Sequence, residues 1–137
     1  MKIRDVMSKD VQVARPTDTV RDVAARMASG DFGFIPVADG DRLVGTITDR
    51  DIAIRAVGAG LGPDTTVSQA MTGTVTTVLD SDPLQTALDA MAKGKIRRLP
   101  VVDKHERLVG VVSLGDLSTR VKEKYAGEAL ETISQPG

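Results

Sequence analysis

The chain has 137 residues, 41% hydrophobic and 27% charged, with a formal net charge of −1. That length supports a buried core, and that charge lacks the broad positive field that nucleic acids require. With no cysteine, a single histidine and only Phe32, Phe34 and Tyr125 as aromatics, it has no disulfides, no thiol chemistry and no cysteine–zinc site, and no base-stacking platform for nucleic-acid single strands is expected.

The N-terminus, Met1-Lys2-Ile3-Arg4-Asp5, is not followed by a signal-peptide apolar core. No apolar run approaches the ~20 residues that span a bilayer, so a cytoplasmic protein is expected. The first element is a short β-prone run, Val11 to Val13. An amphipathic helix follows, with Val20, Val23, Ala24 and Met27 on one face, Asp18 as its expected N-cap and Gly30 at its stop. Ile35–Val37 and Leu43–Ile47 read as strands joined by the turn Asp39-Gly40-Asp41, and a second helix starts near Asp49.

Gly58-Ala59-Gly60-Leu61-Gly62-Pro63-Asp64 then punctuates the chain. It lacks the Gly-Lys-Ser/Thr ending of a phosphate loop, so it reads as a linker. The same elements return after it. Val75–Val78 is β-prone, and Leu84, Ala87, Leu88 and Met91 form a helical stripe behind Asp82-Pro83. Gly94 marks the stop, Leu99–Val102 and Leu108–Val112 are strands, and a last helix starts near Leu114. His105 falls in the polar turn between those strands and reads as a solvated turn residue.

The recurrence is an internal repeat. An offset of 64 residues pairs Met7 with Met71, Val11 with Val75, Asp18 with Asp82, Met27 with Met91, Gly30 with Gly94, Pro36 with Pro100 and Asp39 with Asp103. After one inserted residue near Lys104, Arg42-Leu43-Val44-Gly45 reappears as Arg107-Leu108-Val109-Gly110, and Asp51 and Arg55 as Asp116 and Arg120. The expected fold is α+β: two βαββα repeats packed as an intramolecular pseudo-twofold dimer. Residues 1–62 form the first, 63–125 the second, and 126–137 a flexible tail.

These residues resemble the tandem cystathionine-β-synthase (CBS) domain pair, or Bateman module, over about residues 3–124. Its carriers are Asp5-Val6-Met7, Ile35-Pro36-Val37, Leu99-Pro100-Val101-Val102-Asp103, and the Leu-Val-Gly strands ending in Thr48-Asp49-Arg50-Asp51 and Ser113-Leu114-Gly115-Asp116. The resemblance is to the stand-alone bacterial two-CBS proteins. It implies a regulatory module that binds an adenine ligand such as AMP, ADP, ATP, NAD or S-adenosylmethionine; separately, the carboxylate pair Asp49 and Asp51 could hold Mg²⁺ beside bound ATP. It also implies a homodimer and a target protein that the sequence does not name.

One constellation carries chemistry of its own. A hydroxyl precedes a carboxylate by three residues, twice: Thr48 with Asp51, and Ser113 with Asp116. A carboxylate accepts hydrogen bonds from both hydroxyls of a ribose diol, while a hydroxyl and a helix N-terminus face a phosphate. The same spacing is a capping box, which needs no ligand. Lys95-Ile96-Arg97-Arg98 places two guanidinium groups before a strand, suited either to phosphate oxygens or to a solvated patch. Its counterpart, Asp31-Phe32-Gly33-Phe34, holds no cation, and Phe32 and Phe34 read as core or interface residues.

In the resembling family each site is shared between repeats. One site would then unite Thr48, Arg50 and Asp51 with Val75, Ile96, Arg97 and Arg98. The other would unite Val112, Ser113 and Asp116 with Val11, Phe32 and Gly33, and be largely apolar apart from its acid. A ligand-free interaction module, with both pairs acting only as caps, is the alternative function. An enzyme is not expected, since there is no Ser-His-Asp set, no second histidine for a metal and no phosphate loop.

Overall fold

The repeated pattern of one amphipathic helix and two apolar strands is realised twice in the computed structural model, which describes residues 1–120. In the first copy, helix α1 (Val20–Gly30) leads into β1 (Phe34–Asp39) and β2 (Arg42–Thr48), which pair antiparallel. Helix α2 is one α-turn, Asp49–Asp51, that continues as a π-helix, Ile52–Val57. A short α3 (Val67–Ala70) precedes the second copy: β3 (Val78–Leu79), α4 (Leu84–Gly94), β4 (Arg98–Val102), β5 (Leu108–Ser113) and helix α5, over 114–120. β3 runs parallel to β4, and β4 antiparallel to β5. The expected tail, 126–137, lies outside the described residues. Among the described residues no helix is long and apolar enough to cross a membrane.

The leading strands differ from expectation. Val11–Val13 is not a strand, and only Ala14 makes a parallel bridge, to Val37. Val75–Val78 contributes only its last residue, to β3. A proline explains the asymmetry. The Asp80 amide donates to the Val102 carbonyl at 2.9 Å and extends the β3–β4 ladder, whereas the equivalent position is Pro16, which has no N–H.

The helix ends also shift. Thr19, not Asp18, caps α1, accepting from the Asp22 amide at 3.2 Å, and Pro83, not Asp82, is the residue preceding α4. Asp18 and Asp82 instead accept from the amides of Arg15 and Leu79, both at 2.9 Å, and tie the loop before each helix. Gly30 and Gly94 are the last helical residues, and the left-handed positions fall on Asp31 (φ 54°) and Lys95 (φ 53°). The glycines serve space: a Cβ on Gly30 would lie 2.2 Å from the Phe32 ring, and one on Gly94 would lie 3.3 Å from Ile96.

Two apolar clusters form the core, and each recruits a segment from the other repeat. Val20, Val23 and Met27 of α1 pack on Ile35, Val37 and Ile47 together with Val67 and Ala70 of α3. Ala24, at the edge of the expected stripe, is exposed. Ala87 and Met91 of α4 pack on Leu99, Val101 and Val112 together with Ile3, which is fully buried. Reciprocal backbone bonds fix the exchange. Thr72 pairs with Thr46 (2.8 and 3.0 Å), and Ser8 pairs with Val111 (2.9 and 3.0 Å).

These two pairings are equivalent under the repeat. Arg42 also bridges its own counterpart, Arg107, so the pseudo-twofold axis passes between them. The α+β architecture of two repeats about one local axis is thus the observed one.

Candidate functional site

The axis relates two clefts between the repeats. The first, of about 570 Å³, brings Thr48 and Asp51 from the end of β2 together with Val75, Ile96, Arg97 and Arg98 of the second repeat. The second, of about 400 Å³, brings Ser113 and Asp116 together with Val11 and Phe32 of the first. In each, the hydroxyl–carboxylate pair comes from one repeat and the facing extended segment from the other.

The remaining expected site residues fall elsewhere. Arg50 and Val112 border neither cleft: the Arg50 amide donates to Asp49 Oδ1 at 2.9 Å, and Val112 is fully buried in the core. Gly33, expected beside Asp116, lines the Asp51 cleft, where a Cβ on it would lie 2.8 Å from an Asp49 carboxylate oxygen. Phe32 packs on the first core, as expected, and both it and Phe34, each half-buried, border the Asp116 cleft. That cleft is less apolar than expected, because Asp10, Gln12 and Arg98 also line it.

Both hydroxyl–carboxylate pairs are closed capping boxes. The Asp51 amide donates to Thr48 Oγ1 and the Thr48 amide to Asp51 Oδ2, each at 3.0 Å. The Asp116 amide donates to Ser113 Oγ at 3.0 Å, and the Ser113 amide to Asp116 Oδ2 at 3.2 Å. One carboxylate oxygen is thereby committed to the helix start. The other Asp51 oxygen lies 4.0 Å from Arg55 Nε, and Arg55 also donates to the Met71 carbonyl at 2.8 Å.

Arg97 and Arg98 are exposed, and neither guanidinium has a hydrogen-bond or ion-pair partner among the described residues. Two unpaired cations therefore face the half-buried Asp51 across an open cleft. Such a surface can hold an anionic group at one end and a hydrogen-bond-donating group at the other.

Sequence reasoning overlooked the hydroxyl wall of this cleft, formed by Thr72, Thr74 and Thr76 opposite Thr46. The signal was the alternation Thr72-Gly73-Thr74-Val75-Thr76, since every second residue of an extended chain shares a side. The same offset turns it into Ser8-Lys9-Asp10-Val11-Gln12, whose Ser8, Asp10, Val11 and Gln12 line the other cleft.

The protein-family model of the CBS domain matches this chain twice, over residues 3–58 and 62–123. Hypoxic response protein 1 of Mycobacterium tuberculosis is 33% identical over 97% of this chain and 94% of its own. The crystal structure of that protein with two coordinated zinc ions superimposes with a TM-score of 0.80 at 34% identity, covering 88% of this chain and 98% of that one. This chain has no cysteine, and among its described residues no three His, Asp or Glu side chains gather as a metal-holding group.

Two further CBS structures carry adenosyl ligands. The CBS domain pair of MJ0100, in complex with 5′-methylthioadenosine and S-adenosyl-L-methionine, has a TM-score of 0.78 at 29% identity and covers 90% of this chain and 98% of that one. PAE2072 from Pyrobaculum aerophilum, complexed with AMP, has a TM-score of 0.76 at 30% identity and covers 85% and 89%. With two matched domains, the shared fold and two axis-related clefts, the chain belongs to the CBS domain family and is a tandem pair of its domains.

Proposed function

We propose that this CBS pair is a regulatory module that binds an adenine nucleotide in the Asp51 cleft and alters its conformation or partner binding in response. The observation that carries this reading is the meeting, in one cleft, of two unpartnered guanidinium groups from one repeat with a half-buried carboxylate from the other. Asp51 would accept from the ribose hydroxyls through Oδ1 while Oδ2 keeps the cap, and Arg97 and Arg98 would take the phosphate. The complexes of PAE2072 with AMP and of MJ0100 with S-adenosylmethionine support an adenosyl ligand as the class. AMP, ADP, ATP (with Mg²⁺) and NAD all fit that description.

The same reading takes the protein as a cytoplasmic homodimer that acts on a separate target protein and catalyses nothing itself. To transmit a signal, the ligand must bind two conformations unequally, since equal affinity shifts no equilibrium.

The test is thermal unfolding with AMP, ADP, ATP, NAD and S-adenosylmethionine, on the natural chain and on Asp51→Asn. A ligand at 100-fold its Kd adds about 2.7 kcal/mol. A shift with one of them, lost in Asp51→Asn, supports the reading; no shift with any refutes it. The second reading, a ligand-free interaction module, is favoured by one observation: both capping boxes are closed and satisfied without a ligand.

A further inference from the structure

We propose that the two clefts compete for one cation, Arg98, so that each chain holds a single phosphate-bearing ligand and leaves the Asp116 cleft to ligands without a phosphate. This rests on the reading of the Asp51 cleft as a nucleotide site and adds the rule by which its neighbour is filled.

Arg98 and Phe34 are equivalent under the 64-residue offset, and each is the first residue of its strand. Phe34 stands opposite Thr48 in the β1–β2 ladder, and Arg98 stands opposite Ser113 in the β4–β5 ladder. Each therefore sits beside the capping hydroxyl of one cleft. Both side chains border both clefts, so the two positions flank the pseudo-twofold axis where the clefts meet. Were both positions arginine, each cleft would have a guanidinium of its own. Here one is arginine and the other a phenyl ring.

The surroundings make the competition unequal. The Asp51 cleft adds a second cation, Arg97, and faces it with the neutral hydroxyls of Thr72, Thr74 and Thr76. In the Asp116 cleft Asp10 replaces the middle hydroxyl, and among the described residues Arg98 is the only cation on its wall. Once a phosphate in the first cleft engages Arg98, the described lining of the second presents Asp10 and Asp116 and no further cation. A second phosphate is then repelled, whereas an uncharged nucleoside still finds the Phe32 and Phe34 rings and the Asp116 carboxylate. Because linkage is reciprocal, a phosphate entering the Asp116 cleft would weaken the first site by the same factor.

The experiment is calorimetric titration of the full chain, Phe34→Arg and Arg98→Gln with AMP and with adenosine. The natural chain is expected to take one AMP, with any second event weaker by about tenfold or more, a typical coupling factor. Phe34→Arg supplies the missing guanidinium and is expected to bring the second AMP to within about threefold of the first, whereas adenosine, which gains no ionic contact and loses the Phe34 ring, is expected to bind no more tightly. Arg98→Gln is expected to weaken every AMP event.

Two equal AMP sites on the natural chain would overturn the proposal. So would a folded Phe34→Arg whose second event is unmoved. Should that variant not fold, Arg98→Gln decides: weakening of the first event with an unaltered second overturns shared use of the arginine. Absence of any AMP binding to the natural chain would instead remove the nucleotide reading of the Asp51 cleft, and this inference with it.

Discussion

Thr48 and Asp51 hold each other in a reciprocal pair of 3.0 Å hydrogen bonds, each backbone amide donating to the other residue's side chain. The pair both starts α2 and presents a carboxylate to the cleft, so its structural and ligand-binding roles must be separated by choice of substitution. Thr48→Ala is expected to cost about 1 kcal/mol, the usual value of a lost N-cap. Asp51→Asn keeps an acceptor oxygen for the Thr48 amide and is expected to stay within about 0.5 kcal/mol of the natural chain. Urea unfolding without ligand measures both, and a large loss in Asp51→Asn would show that the charge itself supports the helix start.

The two helix-terminal glycines respond differently to the same substitution. Gly30→Ala drives a methyl into the Phe32 ring, and overpacking of that kind costs about 1–3 kcal/mol. Gly94→Ala meets only the flexible end of Ile96 at 3.3 Å and gains up to about 1 kcal/mol of helix propensity, so it is expected to be neutral or mildly stabilising. Paired unfolding curves test the contrast; equal effects at the two sites would refute it.

The N-terminal segment is part of the second core. Ile3 is fully buried among Leu99, Val101 and Val112, so Ile3→Ala is expected to cost about 2–5 kcal/mol although it lies at the start of the chain. Gly110 lets that segment approach: a Cβ there would sit 2.6 Å from the Ser8 carbonyl. Gly110→Ala is expected to speed hydrogen exchange at the Ser8 and Val111 amides, which bond across this junction, while leaving those of β1 and β2 slow. Unchanged exchange at Ser8 would refute this role for Gly110.

One carboxylate gives a signed pH effect. The Arg107 amide donating to Asp103 holds its carboxyl below the ordinary value of 3.8, against some desolvation, and the His105 amide and Arg107 side chain add to the effect. A folded value below the unfolded one means that this contribution is complete above the ordinary value. It is lost as pH falls below about 3.8 through the lower folded value. Asp103→Asn is therefore expected to flatten the acid limb of the stability curve in that window and leave neutral pH less affected. An NMR titration midpoint for Asp103 at or above its ordinary value would contradict the direction.

The structural asymmetries between the repeats trace to single residues. Pro16 where the second repeat has Asp80 removes a ladder donor and reduces the leading strand to one bridge. The N-caps moved by one residue because Asp18 and Asp82 make their best bonds backward, to Arg15 and Leu79, and not forward into the helix. In the first repeat Asp18 and Thr19 both satisfy the local rule for a capping residue and only the backbone path chooses between them, whereas in the second Pro83 holds the cap position with no side-chain bond.

The repeat, the helix and strands of each unit, the turns between them, and the equivalence of Thr48–Asp51 with Ser113–Asp116 are legible in the residues alone. Periodicity, turn residues and capping chemistry act over a few residues and are written into the chain. Tertiary structure alone decided that Ile3 and Val67 serve the opposite cores, that Gly33 faces the Asp51 cleft, and that Arg98 stands at the wall between two clefts with a phenyl ring as its counterpart. Those are matters of how two sheets meet about an axis. Burial of apolar area and the pairing of Ser8 with Val111 and Thr46 with Thr72 set that meeting, and no local window of sequence contains both sides of it.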